Sequence, residues 1–290
     1  MLLVTGASGT VGREVIGLLP PGQPARVLLR DPARAGTISG RPGLQVVPGD
    51  YDDRRSLAAA MAGVRAVFQV TCDPNRPEQD QALIDAARAA GVRQLVKLSA
   101  LAVSDPEADD LITRWQRDSE QRVRASGLCW TLLRPRAFMS NALRWADSVR
   151  TASVVRALHG TAPHACVDPR DVARVAVRAL TEPGHEGRTY ALTGPEPVSP
   201  AQQVGMLAQV LGRPLRFEEL TEEQARQGLL RRYPPELAEA LLASAARQRD
   251  GGKALVTGTV ARLTGRAPGS FRAWARDHAH AFGDPVPAAH

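Results

Sequence analysis

Short apolar runs alternate with longer stretches of helical periodicity through the first half of the chain. "LLVT" opens it and is followed by a helix from Thr10 to Leu19. The strand-like runs "ARVLLR", "LQVVPGD", "RAVFQVT", "RQLVKLS" and "LCWTLLRP" then appear in order, the last stopped by Pro135. Between them lie helical stretches over "RRSLAAAM", "EQDQALIDAARAAG" and "LITRWQRDSEQRVRASG". Continuous apolar strands separated by helices predict a parallel sheet covered on both faces. The order predicts an α/β fold, a Rossmann-type doubly wound domain with ligands at the carboxyl ends of its strands.

Beyond about residue 150 the alternation loosens. "HACVDPRDVARVAVRAL" predicts a short strand, a turn and an amphipathic helix with Asp171 near its start, and "GRTYALTG" predicts a further strand. The rest is mostly helical, through "PAQQVGMLAQVLG", "TEEQARQGLL", "PELAEALLASAARQ" and "SFRAWARDHAHAF". Thr221 with Gln224 makes a capping box. The expected division is a dinucleotide-binding domain over 1–155, completed by the strand near 188–194. Residues 156–187 and 195–290 are expected to form a smaller, mainly helical substrate lobe.

Composition narrows the class. The 290 residues are 43% hydrophobic, enough for one large core with an appended lobe. Of 37 basic residues only Lys97 and Lys253 are lysine, and the net charge is +7. The arginines stand singly among acidic residues, which argues for a solvated surface and against nucleic acid. Cys72, Cys129 and Cys166 are far apart and suggest neither a disulfide framework nor a zinc site, and no metal-ligand cluster is visible. The chain enters a strand at once and has no membrane-length apolar run, so a cytoplasmic protein is expected, as monomer or homodimer.

The chemistry begins at "GASGTVG". Gly6, Gly9 and Gly12 leave the first strand and enter the first helix. Gly6 permits the turn, Gly9 admits a pyrophosphate, and Gly12 lets helix and strand pack closely. The helix start offers its unpaired N–H groups to phosphate. At the end of the second strand stands Arg30, with Arg34 one turn on; guanidinium at this place suits the 2′-phosphate of NADP(H). Asp31 lies one residue from Arg30, and a shift of register by one would favour NAD(H). Asp50 and Tyr51 follow the third strand, towards the adenine edge, and Val70 and Thr71 end the fourth on the adenine-ribose side.

Together these residues resemble the NmrA-like group of atypical short-chain dehydrogenase/reductases. "LVTGASGTVG", "LLRDP", "VPGDYDD", "LVKLSAL", "RASGLCWTLLRP", "FMSN", "VDPRDVA" and "GRTYALTGPE" occur in that order across nearly the whole chain. The resemblance implies an NADP(H)-binding Rossmann domain with a small substrate lobe. Its members include quinone and aromatic-compound reductases, natural-product enzymes and regulators that bind the dinucleotide without turning it over. Carried over, Gly6, Ser8, Gly9, Thr10, Val11 and Gly12 form the phosphate loop, Arg30 meets the 2′-phosphate, and Thr71 and Ser99 end the fourth and fifth strands. Pro135 sits beside the nicotinamide. The family often has His where this chain has Gln116.

The proton donor is the open question. None of the three tyrosines, Tyr51, Tyr190 and Tyr233, has Lys four residues later, so the usual Tyr–Lys relay is absent. Ser99 and Gln116 are the candidates for orienting a substrate. Lys97 is expected to be a structural ammonium, Glu120 a solvated helix carboxylate, and His164 a loop histidine without a catalytic part. The expected function is NADPH-dependent reduction of a hydrophobic small molecule of quinone-like, aromatic or enone character. The alternatives are a non-enzymatic NADP(H) sensor and a redox-neutral isomerase that retains its cofactor.

Overall fold

The computed structural model describes residues 1–33, 35–36, 41–71 and 73–283. Arg34 and Cys72 lie outside the described residues. The first half alternates as its pattern predicts: β1 (Leu2–Val4), α1 (Thr10–Leu18), β2 (Ala25–Leu29), β3 (Leu44–Pro48), α2 (Arg54–Met61), β4 (Ala66–Gln69), α3 (Glu78–Ala89), β5 (Gln94–Leu98), α4 (Leu111–Ala125) and β6 (Cys129–Pro135). With β8 (Arg188–Leu192) these strands form a seven-stranded sheet in the order β3-β2-β1-β4-β5-β6-β8, every pair parallel. The order reverses between β1 and β4, and a doubly wound sheet binds its ligand outside the strand ends at such a reversal.

Alternation along the strands builds the two faces. Val4, Phe68, Val96 and Leu133 point into one core with Val11 and Val15 of α1. Their neighbours Leu3, Val67, Leu95 and Leu132 point into the other, against Leu57 and Met61 of α2, Leu83 and Ile84 of α3, and Val123 of α4. These strands are buried on both sides, which is why they appear in sequence as unbroken apolar runs.

The second half holds α5 (Ala146–Ala152), β7 (Val154–Ala157), α6 (Pro169–Thr181), α7 (Pro200–Leu211), β9 (Arg216–Glu219), α8 (Glu222–Leu230), α9 (Pro235–Arg249), α10 (Thr259–Thr264) and α11 (Phe271–Asp277). Helix α6, placed in the lobe by the sequence division, packs in the first core: Val172, Ala173, Ala176 and Leu180 sit against the sheet beside α1. Its start is capped by Asp168, whose side chain accepts the Arg170 N–H at 2.8 Å. The expected short strand at "HACV" is reduced to isolated bridges, His164 with Val198 and Val167 with Phe138. In its place β7 and β9 pair in a separate two-stranded parallel sheet. The lobe has its own core, in which Val149, Val155, Leu207 and Leu211 meet Phe271, Trp274 and Phe282. The Thr221–Gln224 capping box starts α8 as expected. Among the described residues, no helix is long and apolar enough to cross a membrane.

Candidate active site

The loop after β1 is built to be close to something. Gly6 is left-handed at φ +62°, and a Cβ there would stand 2.7 Å from the Val70 Cβ. Gly9 donates its N–H to the Gly6 carbonyl at 3.0 Å, closing the turn. At Gly12 a Cβ would overlap that same carbonyl, so only hydrogen fits. Gly9 is the N-cap of α1 and has no side chain to cap it, so the first-turn N–H groups face outwards for an anion. Thr10 and Val11 begin the helix, Val11 turned inward to the core. Sequence patterning overlooks Thr5, whose hydroxyl accepts the Val70 N–H at 2.9 Å and donates to the Phe68 carbonyl at 3.0 Å, fastening the ends of β1 and β4 beneath the loop.

A cavity of about 400 Å³ extends from this loop over the ends of β2 and β3, lined by Gly6, Ser8, Arg30, Asp50 and Tyr51 among others. Arg30 is the first residue past β2 and is exposed at its rim. Asp31 is not part of the lining; its carboxylate takes the Ala33 N–H at 3.0 Å. Arg34 falls outside the described residues, so its expected part has no structural account. Tyr51 donates to the Val70 carbonyl at 2.6 Å, which holds its ring across the cavity wall. Val70 and Thr71 support this wall from below and are not among its lining residues. Val70 packs under Gly6, and the Thr71 hydroxyl donates to Asp80 at 2.9 Å. The glycine cradle, the anion-accepting helix start and the guanidinium at the rim together fit a dinucleotide phosphate.

Asp80 is the residue that sequence reasoning missed. It is fully buried and accepts from Gln69 at 2.8 Å, Thr71 at 2.9 Å, Ser119 at 2.5 Å and the Trp115 indole at 2.9 Å. The Lys97 ammonium lies 3.6 Å from it, also fully buried. Lys97 is therefore a counter-charge, as its strand position suggests, and the cluster ties β4, β5, α3 and α4 together under the cofactor groove. A signal was present: Asp80 occupies the stripe of α3 that continues through Leu83, Ile84 and Ala87, and a carboxylate on a core-facing stripe needs buried donors.

A second buried carboxylate corrects an expectation. Glu120 is not solvated; it is 2% exposed. Arg134 grips it with two bonds, 2.8 Å to Oε1 and 2.6 Å to Oε2, and Arg124 stands at 3.4 Å. Burial raises its pKa, but the bonds from Arg134 and Ser99 outweigh that and hold it below the ordinary carboxylate value. The Ser99 hydroxyl donates to Glu120 Oε1 at 2.6 Å. The Ser99 proton is thus committed to Glu120, and what the hydroxyl still offers is lone pairs. Gln116 lies one turn before Glu120 on the same face of α4, nearer the carboxyl edge of the sheet, and is 7% exposed. Its side-chain oxygen is enclosed and has no hydrogen-bond partner among the described residues. Pro135, the last residue of β6, is buried beside them in the sheet. His164 is pushed down to about 4 by burial, with Lys253 and Arg136 adding to the effect, so it is a neutral imidazole at neutral pH, 3.1 Å from the Gln203 amide.

Past the ends of β5 and β6 lies a second cavity of about 170 Å³. Its lining runs from Leu101 to Asp105, includes Arg136, and is closed by Arg247 of α9 and the Gly252–Leu255 loop. The two cavities have no lining residue in common.

A family profile described as NAD(P)H-binding matches residues 6–183. The chain belongs to the NAD(P)H-binding, NmrA-like family of atypical short-chain dehydrogenase/reductases. It is 57% identical over 282 residues to the (4-alkanoyl-5-oxo-2,5-dihydrofuran-3-yl)methyl phosphate reductase of Streptomyces griseus, covering 97% of this chain and 99% of that one. It is 39% identical to the NAD(P)H azoreductase of Xenophilus azovorans, over 98% and 99% of the two chains. Among solved structures, the NADPH complex of an Escherichia coli NADPH-dependent quinone oxidoreductase superimposes with a TM-score of 0.83 at 26% identity, covering 96% of this chain and 99% of that one.

Proposed function

We propose that this protein is an NADPH-dependent reductase of a small conjugated carbonyl compound, an enone. The observation that carries the reading is the pairing of two separate cavities along one sheet edge. One is a dinucleotide cradle at Gly6–Gly12 and Arg30. The other lies beyond Ser99 and Pro135, under the α9 end and its following loop. The near full-length likeness to a reductase whose named substrate is an unsaturated furanone supports the enone over a quinone or an azo compound.

A bound nicotinamide cofactor would supply hydride to the β-carbon of the enone, and the negative charge left on the carbonyl oxygen as the C=C bond opens must be met by a donor. We assign the donor to that oxygen to the Gln116 amide, whose side-chain oxygen makes no bond to a described residue. Ser99, with its proton given to Glu120, receives a donor, such as the carboxamide of a nicotinamide. The enolate then takes its proton on carbon from water. No strong acid is needed for that step, which agrees with the lack of a Tyr–Lys relay.

The test is oxidation of NADPH by purified protein against a panel of enones, quinones and azo compounds. The reading expects enones to be the best acceptors by kcat/KM. Tight dinucleotide binding with no turnover of any acceptor would replace it by the sensor reading.

A further inference from the structure

The smaller cavity is charged in a way that enone reduction alone does not require. Three cations from three segments line it: Arg136 just past β6, Arg247 in the last turn of α9, and Lys253 in the loop that follows. Two carboxylates answer them. Asp110, the N-cap of α4, lies 2.6 Å from Arg247, and Asp105 is part of the lining. Among the described residues, neither Arg136 nor Lys253 is ion-paired with a carboxylate. Lys253 donates to the Ser244 hydroxyl at 2.7 Å. The Arg136 Nε is enclosed without any partner.

Such an arrangement is costly without a ligand. Half-buried cations lose hydration, and here they also repel one another. Lys253 is brought down to about 8, first by burial and then by Arg247 and Arg136. The nearby His164, held near 4, adds no charge at neutral pH. An anion in the cavity would relieve both costs. The cofactor's phosphates are not this anion, because the glycine loop and Arg30 line the other cavity.

We propose that Arg136, Arg247 and Lys253 hold the phosphomonoester of a phosphorylated enone, with its conjugated carbonyl turned towards Gln116. A phosphomonoester has three terminal oxygens and close to two negative charges, which matches three convergent donors better than a carboxylate does. The assignment rests on the reductase reading and narrows its substrate class to a phosphate ester; the named substrate of the S. griseus relative is such an ester.

The experiment has two arms. In the first, NADP⁺-saturated protein is titrated calorimetrically with inorganic phosphate. In the second, KM is compared for a hydroxymethyl butenolide and its phosphate ester. Both are repeated in Arg136→Gln and Lys253→Gln, which break no ion pair among the described residues, whereas loss of Arg247 would break the pair with Asp110. NADPH titration verifies that each variant is folded. The expected result is phosphate binding weakened about tenfold or more in each variant, and a lower KM for the ester in the parent that rises by a similar factor. Equal phosphate affinity in parent and variants, or equal KM for the two butenolides in the parent, would overturn the proposal. Loss of phosphate binding in the variants, with no acceptor of the panel oxidising NADPH in the parent, would remove the reductase reading and leave the anion site standing.

Discussion

Ser99 and Glu120, 21 positions apart, share one proton-donating bond of 2.6 Å, and its direction sets what both residues can do. Glu120 is ionised and held by Arg134, so it accepts. Ser99→Ala should therefore slow turnover only modestly, by about tenfold or less, and leave the pH profile of kcat in place. Glu120→Gln leaves the Arg134 guanidinium without its carboxylate and should cost about 3 kcal/mol of stability in urea unfolding. Because the folded-state pKa of Glu120 is depressed, its contribution is present above the ordinary carboxylate range and is lost as pH falls through the folded value. A kcat for Ser99→Ala reduced by several orders of magnitude would mean that Ser99, not Gln116, donates to the substrate oxygen.

Arg30 stands at the rim of the cofactor cavity while Asp31 is turned to the Ala33 N–H. NADPH should bind more tightly than NADH, and Arg30→Ala should remove most of the difference, about 1.5–3 kcal/mol for a charged hydrogen bond. Fluorescence titration with both dinucleotides measures it, and equal affinities in the parent would defeat the assignment.

The glycines of the loop separate into two kinds. Gly9 has ordinary extended backbone, φ −81° and ψ 175°, and a Cβ there would stand 3.1 Å from the Gly6 carbonyl oxygen, so Gly9→Val should abolish dinucleotide binding at a small cost in melting temperature. Gly12 has no room against the Gly6 carbonyl, so Gly12→Ala should destabilise the protein itself, by on the order of 1–3 kcal/mol. Thermal melts beside NADPH titrations tell the two apart.

The elements up to Pro135 are legible because the central strands are buried on two faces and each helix on one, so periodicity separates them. Strands β7 and β9, "VVRA" and "RFEE", are four residues each and half-exposed, too short to show a period. The glycine loop and Arg30 are legible because backbone geometry and phosphate chemistry constrain residue type locally. The setting of Glu120 is not. Its partners Ser99 and Arg134 come from just past β5 and from β6, and only the β5–β6 pairing brings them to α4. The cationic cavity escapes for the same reason, since Arg136, Arg247 and Lys253 meet only when α9 docks.

His164 should make the fold acid-sensitive before the carboxylates do. Its folded pKa is about 4 against an ordinary 6.5, so the unfolded chain binds the extra proton across that window. Stability therefore rises with pH from about 4 to 6.5 and is lost on the way down, by about 2 kcal/mol between roughly pH 7 and roughly pH 5. His164→Gln should flatten this dependence in denaturant unfolding. An unchanged slope in the variant would place the sensitivity elsewhere.

Gln116 carries the last expectation, because the proposed reaction gives it the substrate oxygen. Its amide cannot ionise, so its part in the proposed reaction is to donate a hydrogen bond to the enone oxygen from a position one turn above Glu120. Gln116→Ala should raise KM or lower kcat by about tenfold, the effect of ~1.4 kcal/mol of hydrogen bonding, without removing any ionisation from the pH profile. Gln116→His keeps a donor and adds a titrating group beside the ionised Glu120, which favours the protonated imidazole. Its pH–rate profile should therefore gain an ionisation above the ordinary histidine value of about 6.5, with activity falling as pH rises through it. The sign follows from the role: the imidazolium donates in two directions, the neutral ring in one. A loss of several orders of magnitude in Gln116→Ala would assign the residue a direct part in proton transfer, and an unaltered profile in Gln116→His would mean that the side chain does not face the reacting oxygen.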